Sequence, residues 1–143
     1  MIKPPTHAFA WRLTVTDDHI DVQNHVSNVA VVDWINTSAW QHSIAAGFDT
    51  ARYTQLGGMW VVRRHEISYH APALLGDAIE CTTWIQTMTQ VTAERHHRIH
   101  RPADGQLIAE AVNLWAWVDR ATARPRRIPA DLREAFNAAK LIP

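Results

Sequence analysis

The chain has 143 residues, with 14 Lys and Arg against 14 Asp and Glu and a formal net charge of zero. A neutral balance supplies no global positive field for steering onto nucleic acid or an anionic membrane, which leaves a small molecule as the expected partner. A chain of this size buries roughly 68–70% of its unfolded surface, so residues 1–143 are read as one domain with one sizeable core.

The single cysteine, Cys81, excludes an intrachain disulfide and suits a reducing, cytoplasmic compartment. Met1 to Leu13 holds two prolines and no long apolar run, so neither a signal peptide nor a membrane span is expected there. The seven tryptophans are expected as anchors of the core or of a subunit interface.

Ala8 to Thr16 alternates as a first strand, with Phe9, Trp11, Leu13 and Val15 on one face. The next block, Asp21 to Trp34, is polar and runs straight into a helical pattern. The segment is read as extended, so that Asp21, Gln23 and His25 project to one side, an acid, an amide and an imidazole together. Ser27 and Asn28 carry side chains that cap helix N-termini, Asn28 being the expected cap. From Asn28 to about Ala46 no Gly or Pro intervenes, and Val31, Trp34, Ile35, Ser38, His42 and Ala45 recur at helical spacing as one largely apolar stripe. Gly47 then ends the helix.

Gly57 and Gly58 punctuate the next connection. A second strand follows from Met59 to Tyr69, with Val61, Ile67 and Tyr69 in phase. After a turn at Pro72 to Gly76, Ile79, Cys81, Thr83, Ile85 and Thr87 alternate along a third strand, with Trp84 on its other face. Val91 to Arg101 and Leu107 to Val118 give two more strands joined by a hairpin at Pro102 to Gly105. Five strands and one long helix make an α+β architecture.

Asp21, His25, Val26 and Asn28 match, residue for residue, the Asp-x-x-Gly-His-Val-x-Asn block of the hotdog-fold thioesterases of the 4-hydroxybenzoyl-CoA and acyl-ACP group, and Trp34 matches the Trp of the helix that follows it. The chain resembles that family over about residues 8 to 136. Glu66 to Tyr69, Ala71-Pro72, Gly76-Asp77, Asp119-Arg120 and Arg127-Ile128-Pro129 add weaker similarity. Three positions depart from it: Asn24 stands where many members have Gly, Gln23 where the acyl-ACP branch has Asn, and Val31 where Tyr is common.

The resemblance implies a hotdog fold, an antiparallel five-stranded sheet wrapped around one long central helix, with a short C-terminal helix. It implies hydrolysis of an acyl thioester carried on CoA or an acyl carrier protein. It also implies a homodimer or homotetramer with its sites at the subunit boundary, and neither a metal nor another cofactor. Within it Asp21 is the expected nucleophile or general base, and His25 and Gln23 are expected to assist. Asn24, Val26 and Asn28 are expected to shape the substrate site. A backbone N–H at Gly58, Met59 or Trp60 is expected to meet the thioester oxygen from a neighbouring subunit.

Simpler readings stand beside these. Asp21 would equally anchor a turn, and Gly57-Gly58 would be a turn alone. Arg120, Arg124, Arg126 and Arg127 could clamp carrier phosphates, but a solvated loop is the plainer reading. His96 and His100 share a strand face about 13 Å apart, too far for one ion. Cys81 reads as a small buried residue, and no Gly-x-Ser-x-Gly elbow occurs. A hotdog acyl-CoA hydratase or dehydratase also uses an Asp and a His, though spaced one residue further apart. A non-catalytic acyl-thioester-binding protein would keep the fold with Asn24 in place of Gly.

Overall fold

The computed structural model describes residues 3–136. Its elements in chain order are β1 (Phe9–Thr14), α1 (Asn28–Ala45), α2 (Thr50–Leu56), β2 (Gly58–Tyr69), β3 (Ala78–Met88), β4 (Thr92–Arg101), β5 (Gln106–Asp119) and α3 (Ala130–Ala135). The five strands form one antiparallel sheet in the order β1-β3-β4-β5-β2, with the 18-residue α1 packed against it.

Helix α1 starts where Ser27, in extended conformation, accepts the Ala30 N–H on its side chain at 3.0 Å, a cap that contributes about 1 kcal/mol. Ser27 is therefore the cap and Asn28 the first helical residue. Gly47, at φ +96°, carries the chain out of the helix. The buried stripe changes character along α1. Ala30, Val31, Trp34 and Ile35 are apolar, whereas the buried residues beyond them are Ser38, His42 and Ser43, and Ala45 is exposed.

The sheet shows the same division. On β3, β4 and β5, Cys81, Ile99 and Ala111 belong to one apolar cluster, and Ile85, Ala93 and Trp117 to a second beneath α2 and α3. Between those positions along each strand lie the buried polar residues Thr83, His97 with Arg95, and Asn113. A polar belt thus crosses the interior. Each member makes at least one hydrogen bond, as burial demands, although His97 Nε2 and Asn113 Oδ1 have no partner among the described residues. Ser38 donates to the Ile35 carbonyl at 3.0 Å and lies 3.2 Å from His97 Nδ1, and Thr83 donates to the His96 carbonyl at 2.9 Å.

Two bulges alter the expected strand phases. On β3 the register skips Gln86, so Met88, at 1% exposure, takes the buried position that strict alternation assigns to Thr87. On β2 the register skips Arg63. Ile67 opposes Ala111 and Trp60 opposes Trp117, but Val61 opposes Ala116, so Val61 and Ile67 face opposite sides. Helix α2 has no counterpart in the sequence reading. Asp49 caps it by accepting the Arg52 N–H at 2.9 Å, and Gly57, at φ +70°, closes it. Among the described residues no helix is long and apolar enough to cross a membrane.

Candidate active site

The segment from Asp21 to Asn28 is a tight turn, not an extended run. Ile20 and Val26 bridge antiparallel, the Asp21 N–H donates to the His25 carbonyl at 2.9 Å, and the Asn24 N–H donates to the Asp21 carbonyl at 3.1 Å. Alternation therefore does not align Asp21, Gln23 and His25. What gathers them is the Asp21 carboxylate itself, whose Oδ1 accepts the Gln23 N–H at 2.8 Å and, more weakly, the His25 N–H at 3.4 Å. The carboxylate thus anchors the turn through Oδ1, while Oδ2 has no partner among the described residues.

Asn24 sits at φ +62°, the left-handed region that favours glycine and that Asn tolerates best among the other residues. Its presence where Gly is common thus preserves the backbone. Val26 turns inward, packing its side chain against the first apolar cluster and donating its N–H to the Ala73 carbonyl at 3.0 Å. The turn is fixed to the segment that leaves β2. Asp21, Gln23, Asn24, His25 and Asn28 are all exposed, and so are two apolar neighbours, Val22 at 99% and Val29 at 79%.

The remaining candidates lie elsewhere. Met59 and Trp60 line a cavity of about 240 Å³ between the second half of α1 and the sheet, with Asn36, Trp40, Tyr53, Trp115 and Phe136 around them. Asn36 is eight residues along α1 from Asn28, about 12 Å by helical rise, so within one chain the Asp21 turn does not open into this cavity. Gly58 serves packing. A Cβ there would lie 2.3 Å from the Trp117 ring, so packing by itself requires glycine at this position.

Sequence reasoning overlooked Arg95, which is 5% exposed and lines the cavity. Its Nη1 donates to Thr83 Oγ1 and to His42 Nδ1, both at 3.0 Å, and its guanidinium lies 5.6 Å from the centre of the Phe136 ring. Burial lowers its pKa to about 10, so it stays charged at neutral pH. Burial, and then the charge of Arg95, pushes His42 down to about 3, which keeps the imidazole neutral and able to accept. The alternation Ala93, Arg95, His97, Ile99 was the available signal, since it places an arginine on a buried face.

Arg120 reaches the cavity wall and donates to the Gly58 carbonyl at 3.3 Å, Arg126 pairs with Asp119 at 3.8 Å, and Arg124 and Arg127 are exposed. Burial pushes the Cys81 thiol up to about 12, with Glu80 adding to it, so a thiolate nucleophile is disfavoured.

A family model for the acyl-ACP thioesterase N-terminal domain matches residues 6–136. The long-chain acyl-CoA thioesterase FadM of Escherichia coli K12 is 25% identical over 129 residues, covering 88% of this chain and 95% of that protein. The acyl-CoA thioester hydrolase YbgC of Escherichia coli O6:H1 is 29% identical over 135 residues, covering 92% and 98%. The chain spans less than a third of two plastid acyl-carrier-protein hydrolases that it also matches. In fold it is similar to the 1,4-dihydroxy-2-naphthoyl-CoA thioesterase of Synechocystis, at a TM-score of 0.84 and 14% identity over 91% of this chain and 96% of that one.

Proposed function

Because this chain belongs to the acyl-ACP thioesterase family, we propose that it hydrolyses acyl thioesters of CoA or an acyl carrier protein at a site shared between two copies of itself. The Asp21 turn of one copy would face the cavity of the other.

The observation that carries this reading is the placement of the two loci at opposite ends of β2. That strand is an edge of the sheet, pairing only with β5, and its 12 residues span roughly 35 Å. Met59 and Trp60 stand at its start, and the Asp21 turn is tied to Ala73, just past its end. A long unpaired edge is a template for a second strand. Antiparallel pairing of β2 with its own copy about a two-fold axis brings Trp60 of the partner subunit beside the local Asp21 turn. It also gives exposed Val22 and Val29 something to cover them.

In that arrangement the Asp21 carboxylate either attacks the thioester carbon, expelling thiolate and leaving a mixed anhydride that water then cleaves to the free acid and Asp21, or takes the proton from the attacking water and passes it to the thiolate that leaves as the tetrahedral species collapses. Donors for the developing oxyanion are at hand. The N–H groups of Asn28 and Val29 open the positive end of α1 and have no partner among the described residues. The backbone at Gly58 to Trp60 of the partner would approach from the other side. His25 and Gln23 line the turn as further donors. Reducing conditions and a cytoplasmic setting accord with this chemistry.

A panel of acyl-CoAs and acyl carrier proteins, followed by free-thiol release, tests the reading. Release from at least one chain class is expected; no release from any carrier would overturn it.

A further inference from the structure

Among the described residues Arg95 is a buried cation without a matching anion. All 14 Asp and Glu fall among the described residues, and none forms an ion pair with it. Buried charges are normally paired, because removing a guanidinium from water is costly unless an anion or a full set of acceptors replaces the solvent. Here Nη1 is occupied by Thr83 and His42, but Nε and Nη2 have no partner among the described residues. Those two atoms form one edge of the planar guanidinium, the edge that binds a carboxylate with two parallel N–H bonds.

Among the described residues, the cavity that Arg95 lines contains no acidic residue. Its wall is largely apolar and aromatic, with Trp40, Tyr53, Trp60, Trp115 and Phe136; Asn36, Ser43 and Thr50 add neutral polar groups, and among the described residues its only other charge is Arg120. The neighbouring His42 is neutral and offers the guanidinium a lone pair, not a counter-charge. A wholly aliphatic acyl chain would satisfy the wall and leave the cation facing methylenes.

Building on the thioesterase reading, we propose that this cavity holds an acyl group that ends in a carboxylate, gripped by the Nε–Nη2 edge of Arg95. The substrates would be thioesters of short dicarboxylic acids. The volume of about 240 Å³ equals roughly eight shares of liquid water at ~30 Å³ each, which suits a chain of about six carbons.

Adipoyl-CoA and hexanoyl-CoA, equal in carbon count and different in terminal charge, are the probes. Wild-type kcat/KM should favour adipoyl-CoA at least tenfold, Arg95→Met should bring the ratio to one or below, and Arg95→Lys should restore part of it. A wild-type preference for hexanoyl-CoA, or a ratio unchanged in Arg95→Met, overturns the proposal. Binding is read separately, from the fluorescence of the cavity tryptophans on titration with free adipate and hexanoate. Saturable adipate binding that is lost in Arg95→Met, in a protein that releases no thiol, would keep the anion site and reject the hydrolase. Thiol release with no adipate binding and no preference would do the reverse. Should Arg95→Met fail to fold, the wild-type ratio and the Arg95→Lys variant decide.

Discussion

The Asn24 N–H donates to the Asp21 carbonyl across the turn at 3.1 Å, and Asn24 holds φ +62° to make that bond. A β-branched residue in the left-handed region costs more than Asn does, by about 1–2 kcal/mol. Asn24→Val should lower stability by that amount and reduce turnover by displacing Asp21, while Asn24→Gly should retain both. Urea unfolding and thiol-release rates read the two effects. An Asn24→Val protein as stable and active as wild type would show that the turn does not depend on this conformation.

Gly58 is fixed by its neighbour. With a Cβ only 2.3 Å from Trp117 Cζ2, in an aromatic group that includes Tyr53 and Trp60, Gly58→Ala must displace a ring that is fully buried. Overpacking of this kind costs about 1–3 kcal/mol. A lowered urea midpoint is expected, and an unchanged one would mean that the ring moves freely.

The buried histidines set the acid limit of stability. His42 is pushed to about 3, and His97, buried and near the Arg95 charge, lies well below its ordinary value. Both are neutral when folded, and both take up a proton on unfolding below about pH 6.5. Their stabilisation is therefore present above pH 6.5 and lost as pH falls below it; for His42, whose folded value is about 3, the loss is about 1.5 kcal/mol between pH 6.5 and 5. Urea unfolding at pH 7 and pH 5 should show the loss. Replacing either histidine, as in His97→Phe, should reduce it. A stability that does not fall across this interval contradicts the assignment.

If β2 pairs with its copy, the mass in solution is at least twice the 16.2 kDa of the chain. Sedimentation should show this at micromolar concentration, and specific activity should fall on dilution in step with the dimer fraction. A fully active monomer would exclude a shared site.

Much of the fold was legible because it rests on periodicity. The unbroken run from Asn28 and the alternation around Ile79 to Ile85 specify α1 and most of β3. Bulges are invisible to that reasoning, since one unpaired residue at Arg63 or Gln86 inverts every side chain beyond it and leaves no mark in composition. Helix α2 is seven residues long, too short for periodicity, although Asp49 and Gly57 mark its ends. At the site, the motif located the Asp21 turn but not its shape, which depends on the Asn24 conformation and the bond to Ala73. Arg95 was missed because a charged residue on a strand reads as solvent-facing until its neighbours Ala93, His97 and Ile99 are seen to be buried.

The most direct test of the account is the thiol-release kcat of Asp21→Asn. Asn keeps a side-chain oxygen to accept the Gln23 and His25 N–H groups, so the turn survives while the carboxylate is removed. A fall of about 100-fold or more is predicted, with unfolding midpoint and sedimentation unchanged. A variant that folds, assembles and retains most of its turnover would contradict the account.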